Sequence, residues 1–192
     1  MIPFLMNRVS RLGKARLSPA ACVIFSASVL LLLGGCNRSE SGADSSGPAE
    51  IQYGSKITFA RGGNSEPYKK RGWSPTEEKF TWSEGTSAQL QISVAATNDP
   101  VTLKMRIAAL VKPPELPSQP VEVFINDQKI VEWQVGDTSE FVARVPPDFT
   151  KKGGVLNIDI KTPKATSPKA LGLSADPRVL GICCLDLELS KG

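Results

Sequence analysis

Apolar residues recur at every second position over most of the chain beyond residue 50. This alternation covers residues 88–94, 103–109, 121–125, 141–145 and 156–160, and it ends with Leu185, Leu187 and Leu189. Because successive side chains of a strand point to opposite faces of a sheet, each set predicts a strand with one buried face.

A two-residue break, Asn126-Asp127, separates two such runs in VEVFINDQKIVEWQV. Asn and Asp tolerate left-handed backbone conformations, so the break predicts a hairpin. The 15 prolines and 16 glycines fall mainly between the runs, and no stretch has a helical period. The pattern predicts an all-β domain over residues 51–192, an antiparallel β-sandwich or jelly roll of about eight strands.

The first 35 residues have the layout of a signal peptide. A basic stretch without acids is followed by the apolar run PAACVIFSASVLLLL. That run is shorter than the roughly 20 residues that a membrane-spanning helix needs. We therefore expect residues 1–35 to be removed.

Leu33-Gly34-Gly35-Cys36 resembles the lipobox of bacterial lipoproteins. The resemblance implies that the Cys36 sulfur carries a diacylglyceryl group and that acyl chains such as palmitate hold the protein on a membrane. The alternative is ordinary cleavage nearby, which leaves a soluble protein with a free thiol. Residues 36–50, rich in Ser and Gly, predict a flexible tether.

The predicted location is the bacterial cell envelope, facing the periplasm. Asn37 follows the anchor where aspartate is associated with retention in the inner membrane of enterobacteria, so the outer membrane is favoured. All 19 acids follow Cys36, as do all but four of the 23 bases, so the mature chain carries 19 of each. A neutral chain gives no compositional support for nucleic-acid binding.

The chain contains no histidine, which excludes Ser-His-Asp and Cys-His catalysis. No phosphate-binding loop, dinucleotide-binding glycine signature or calcium loop is present. Hydrolysis by two carboxylates alone stays formally open, although no two acidic residues have a spacing that identifies them as a catalytic pair. We expect a non-enzyme without cofactor or metal.

Adjacent Cys183 and Cys184 are expected to act as small apolar residues on the two faces of a strand. A vicinal disulfide is the alternative.

Two unusual segments frame the domain, residues 72–90 and residues 167–182. The motifs are Gly72-Trp73, Glu77 or Glu78, Trp82-Ser83, the strand ending at Asn126, Ser167-Pro168, Leu171-Gly172, Ser174, Asp176, Arg178 and Leu180-Gly181. As a set they resemble an uncharacterised β-sandwich domain at the C-termini of membrane glycosyltransferases of envelope polysaccharide pathways. Such domains resemble galactose-binding-like jelly rolls, so the resemblance implies a carbohydrate-facing or assembly role without an established ligand.

The candidate ligand-binding residues come from these two segments. Trp73 and Trp82 could form an aromatic platform for the apolar face of a sugar, with Glu77 and Glu78 accepting hydroxyl hydrogen bonds. Alternatively, both tryptophans close the ends of the sandwich.

Asp176 and Arg178 could orient a polar ligand, or they could brace a turn against a neighbouring loop. The basic tract TFARGGNSEPYKKRGW could meet anionic glycans or lipid headgroups, or form a solvated loop.

The leading hypothesis is a lipid-anchored protein whose non-catalytic domain binds an envelope carbohydrate or assists polysaccharide assembly or export. The alternative is a structural or scaffolding lipoprotein that binds a protein partner, with the tryptophans serving only as core. A third hypothesis, a histidine-free glycan hydrolase or transferase accessory subunit that acts through Glu77, Glu78 or Asp176, ranks last.

Overall fold

The computed structural model describes residues 47–192, and its strands form two sheets packed face to face. Within this range the strands are β1 (Glu50–Ile51), β2 (Lys56–Thr58), β3 (Thr81–Glu84), β4 (Ser87–Val94), β5 (Val101–Ala109), β6 (Gln119–Ile125), β7 (Gln128–Val135), β8 (Ser139–Val145), β9 (Gly154–Lys161) and β10 (Leu180–Lys191). Two single-turn 3-10 helices span Glu66–Tyr68 and Pro147–Phe149. The signal peptide, the lipobox with Cys36 and most of the predicted tether lie outside the described residues.

The first sheet, sheet A, has the order β1-β4-β9-β6-β7, and the second, sheet B, has the order β2-β10-β5-β8, with β3 also paired to β10. All pairs are antiparallel except β1 with β4. The prediction of an all-β antiparallel sandwich is therefore confirmed. No helix within residues 47–192 is long and apolar enough to cross a lipid bilayer.

The alternating residues form the core between the sheets. Leu90 and Ile92 of β4, Ile158 of β9, and Leu103 and Met105 of β5 are fully buried. The residues between them point outward and remain partly accessible. Each sheet therefore presents one apolar face to the core and one polar face to solvent.

The hairpin between β6 and β7 forms where the sequence predicts it. Asn126 and Asp127 have φ values of 47° and 68°, which places both in the left-handed region. This is the backbone of the two-residue turn whose twist matches antiparallel strands. The pairing that starts at the turn holds for Ile125 and Phe124, and the register between β6 and β7 then shifts by one residue before Val123.

The expected inward position of Leu185 is wrong. The register between β10 and β5 shifts between Cys184 and Asp186, so Leu185 is the extra residue of a β-bulge and is only partly buried. Because the bulge reverses the alternation, Cys184 points into the core before it and Leu187 after it.

Both neighbouring cysteines are free thiols in the structure. Cys184 is fully buried in the core, whereas Cys183 points out of sheet B and is paired with Trp82 of β3. Burial raises the pKa of both thiols, that of Cys184 well above its ordinary value. These positions match the expectation of two small apolar residues on two faces.

Candidate functional site

Asp176 and Arg178, predicted from sequence, bind each other within one turn. The Arg178 side chain donates to both carboxylate oxygens of Asp176, with Nη2 to Oδ2 at 2.6 Å and Nε to Oδ1 at 3.1 Å. The Arg178 backbone N–H also donates to Oδ1, at 2.9 Å. These hydrogen bonds lower the pKa of Asp176 and raise that of Arg178. The pair therefore stabilises its own turn.

The same guanidinium connects this turn to the loop before β3, because Arg178 Nη2 lies 3.8 Å from Oε1 of Glu77. Glu78 is exposed and makes no hydrogen bond or ion pair within residues 47–192. The structure thus brings Glu77, Asp176 and Arg178 together and leaves Glu78 apart.

The two candidate tryptophans point to different sides of β3. Trp73 pairs with Ser83, and its ring packs against the core with its centroid 5.2 Å from that of Phe59. Trp82 points outward and meets Phe80 edge to face at 5.7 Å. Trp73 lies opposite Ser83, the neighbour of Trp82 on β3, and neighbouring positions of a strand face opposite ways. The two indoles therefore do not form one platform.

A second polar cluster, which the sequence pattern does not predict, lies on the outer face of sheet A. Arg71 Nη2 donates to Oδ1 of Asp159 at 2.7 Å, and Arg71 Nη1 donates to Oε1 of Gln89 at 3.2 Å. Gln89 Nε2 donates to Oδ2 of Asp159 at 3.1 Å. The three side chains therefore form a closed network, with the Asp159 carboxylate largely buried and the Arg71 side chain 64% exposed.

The register of sheet A assembles this network. Gln89 of β4 is directly opposite Asp159 of β9, and Arg71 lies beside β4, where its backbone oxygen accepts the Gln89 N–H at 2.9 Å. The indole N–H of Trp73 donates to the Gln89 backbone oxygen, also at 2.9 Å. Trp73 thus fixes the segment that carries Arg71, although its own ring packs against the core.

An aromatic ring and a lysine continue the cluster. Phe124 of β6 is opposite Asp159 and points outward, and the Lys161 ammonium lies 4.1 Å from its ring centroid. Together with Asp127 of the hairpin, these residues line a cavity of about 260 Å³. We call this cavity the sheet A groove; it is lined by Arg71, Gln89, Phe124, Asp127, Asp159 and Lys161.

Amide side chains extend the polar surface along the same two strands. Gln91 Nε2 donates to Oδ1 of Asn157 at 2.9 Å, and Asn157 donates in turn to Oδ1 of Asn126. One sequence signal could have identified this surface. The outward positions of β4 and β9 carry amides and an aspartate, and an aromatic residue, Phe124, occupies an outward position of β6.

A larger cavity, of about 480 Å³, lies between the first residues of β5 and the last residues of β8. Its walls are mainly proline and valine, including Pro100, Val101 and Pro146, with Arg144 as the charged side chain. This larger cavity offers one charged side chain, whereas the sheet A groove brings five polar or charged side chains together around one aromatic ring. Within residues 47–192, no three His, Cys, Asp or Glu side chains are grouped to hold a metal ion.

No protein-family model matches the chain, and no curated protein matches it. Among solved structures, the chain is similar to a family 6 carbohydrate-binding module studied for its binding sub-sites, at 8% identity and a TM-score of 0.43, covering 75% of this chain and 97% of that one. It is also similar to a family 6 module from Clostridium stercorarium in complex with cellobiose, at 10% identity and a TM-score of 0.41, covering 77% and 99%.

A third similar structure is a CBM36 domain of a multidomain xylanase from the hindgut metagenome of Trinervitermes trinervoides. Its identity is 10%, its TM-score is 0.41, and the match covers 72% of this chain and 97% of that one. Similarity at this level transfers neither a ligand nor a binding residue to this chain.

Proposed function

We propose that this chain is a lipid-anchored envelope protein whose β-sandwich binds carbohydrate through the sheet A groove, without catalysing a reaction. The observation that carries the proposal is the closed network of Arg71, Gln89 and Asp159 beside the outward ring of Phe124. Sugars present hydroxyl groups that both donate and accept, next to apolar C–H faces. A groove with fixed donors, a fixed carboxylate and an aromatic ring matches both properties.

The network supports binding because it is held in place before a ligand arrives. Each Asp159 oxygen accepts one hydrogen bond and has lone pairs left, and Arg71 uses two of its five N–H groups on Asp159 and Gln89. Ordering side chains on binding costs about 0.5–1.5 kcal/mol for each one immobilised, and a preformed network avoids much of that cost. Because Arg71 and Gln89 already hold the two Asp159 oxygens in place, their remaining lone pairs have fixed directions for a ligand.

The envelope part of the proposal rests on the N-terminal sequence. The basic and apolar leader ends in Leu33-Gly34-Gly35-Cys36, which supports cleavage before Cys36 and lipid attachment there. Asn37 supports placement in the outer membrane. A lipid anchor with a tether over residues 36–50 would hold the groove near envelope polysaccharides, where the domain could assist their assembly or export.

One observation supports the alternative of a protein-binding scaffold. Leu173 and Val179 are 49% and 40% exposed, and they lie in the same loop as Asp176 and Arg178. We call this the β9–β10 loop surface. If a protein partner binds there, its binding should perturb the residues of the β9–β10 loop surface and leave those of the sheet A groove unchanged.

Replacing Asp159 by asparagine should weaken retention on immobilised envelope polysaccharides about tenfold or more. The change removes the charge that fixes Arg71 and accepts sugar hydroxyls, and hydrogen bonds to charged groups contribute about 1.5–3 kcal/mol. Affinity chromatography of the mature domain on polysaccharides extracted from the cell envelope measures the effect. If no polysaccharide retains the unaltered domain, the proposal fails.

Asp186→Asn is the matched control. Asp186 also points outward with little exposure and pairs with an arginine, Arg106, at 2.7 Å, but it lies on sheet B. Both variants should keep the β-sheet circular dichroism spectrum, and only Asp159→Asn should lose retention. An equal loss in both variants would mean that stability, and not the groove, governs retention.

A further inference from the structure

The lysine of the sheet A groove has no acidic partner. Lys161 is exposed, and within residues 47–192 its ammonium forms no ion pair. The carboxylate opposite it in the β6–β9 register, Glu122, is bound instead by Lys129 at 2.7 Å. The positive charge of Lys161 is therefore available to a ligand.

The other charged side chains of the groove are either paired with each other or lie at the end away from Lys161. Arg71 is neutralised by Asp159 at 2.7 Å. Asp127 is exposed in the hairpin turn next to Asn126, whose side chain binds Asn157 of β9. Along β9, Asn157 and Lys161 lie on opposite sides of Asp159, each roughly 6.8 Å away at 3.4 Å per residue. The groove thus has a cationic end at Lys161 and an anionic end at Asp127.

The position of Lys161 also limits how a sugar can use Phe124. The ammonium covers the ring at 4.1 Å from its centroid. A neutral sugar that stacks on this ring must displace the ammonium and lose an attraction of about 0.5–1 kcal/mol. An acidic sugar can leave the ammonium in place and form a charge-assisted hydrogen bond with it.

We infer that the groove binds an acidic glycan, with an anionic sugar substituent on Lys161 and neutral hydroxyl groups on the Arg71, Gln89 and Asp159 network. This inference rests on the proposed function. The anionic group is a carboxylate, as in a uronic acid, or an ester-linked phosphate or sulfate. Asp127 orients the ligand, because it repels the acidic substituent from the opposite end of the groove.

The test uses the mature domain and immobilised alginate, polygalacturonate and hyaluronate, each beside its carboxyl-reduced neutral form. One phosphate-substituted and one sulfated glycan are added, each beside its unsubstituted form. At least one acidic polymer should retain the domain about tenfold more strongly than its neutral counterpart. The preference should decrease as salt is raised from 0.05 to 0.5 M, roughly, because the charges are exposed. Lys161→Gln should remove the preference.

Lys104→Gln is the control, because Lys104 is a partly exposed lysine on the outer face of sheet B, 3.9 Å from Glu188. This variant should keep the preference. Equal retention of neutral and acidic forms, or an unchanged preference in Lys161→Gln, would overturn the inference and leave carbohydrate binding standing. If no polymer of either kind is retained, both the inference and the proposed function fail.

Discussion

Replacing Gly72 by alanine is expected to destabilise the domain by about 3 kcal/mol, through left-handed backbone strain and a steric clash. Gly72 has a φ of +74°, which side chains rarely adopt. A Cβ there would also collide with the Ser87 backbone oxygen and lie 2.9 Å from the Cα of Ala88. The chain passes this close to β4 because Arg71 and Trp73, on either side of Gly72, both bind Gln89. The variant should therefore disturb the groove as well.

Urea unfolding followed by circular dichroism measures this free energy, and the midpoint of thermal unfolding should fall by roughly 6–12 °C. Gly85→Ala separates strain from collision, because Gly85 has a φ of +83° with open space where its Cβ would lie. We expect that control to cost about 1 kcal/mol. Equal losses in the two variants would show that the close approach at Gly72 does not matter.

Replacing Cys36 by serine is expected to abolish lipid attachment completely. The proposed lipid is attached to the sulfur of Cys36, and a hydroxyl group does not substitute for a thiol in that attachment. Each buried methylene of an acyl chain contributes about 0.8 kcal/mol, so several chains account for the whole anchor. Incorporation of labelled palmitate measures the loss.

Cys22→Ser is the control for this prediction, because Cys22 lies in the apolar run of the leader and outside the lipobox. That variant should incorporate palmitate normally. The proposed anchor is contradicted if the Cys36 variant remains labelled, or if Cys22 proves to be the labelled residue.

The long strands could be predicted because burial alone fixes their alternation. Each of β4, β5, β6, β8 and β9 matches a predicted set of apolar positions. By contrast, β1, β2 and β3 span two to four residues, which is too short for a period to show. The bulge at Leu185 escaped prediction because one extra residue shifts the phase without changing composition.

The candidate site was harder to predict because its parts are distant in sequence. Arg71 and Asp159 are 88 residues apart, and they meet only because β4 pairs with β9 across the intervening β5–β8 segment. Periodicity identifies strands but does not state which strands are neighbours. In a sequence, outward polar positions are typical of a solvated strand face. Only the strand register shows that Gln89 lies opposite Asp159.

For the loop residues, in contrast, the sequence suggests a binding site where the structure shows contacts that stabilise the fold. Aspartate, arginine and tryptophan in glycine-rich loops suggest a site, but the same residues stabilise turns. Asp176 and Arg178 form such a turn, and Trp73 packs against Phe59. Their role in folding is visible only when their partners are known.

The most direct test of the central claim is a map of ligand contacts by NMR. An oligosaccharide from a polysaccharide that retains the domain is titrated into ¹⁵N-labelled protein. We predict shifts in the side-chain amides of Gln89 and Asn157 and in the indole N–H of Trp73, while the indole N–H of Trp82 stays unchanged. Shifts confined to Trp82 and the β9–β10 loop surface would contradict the claim.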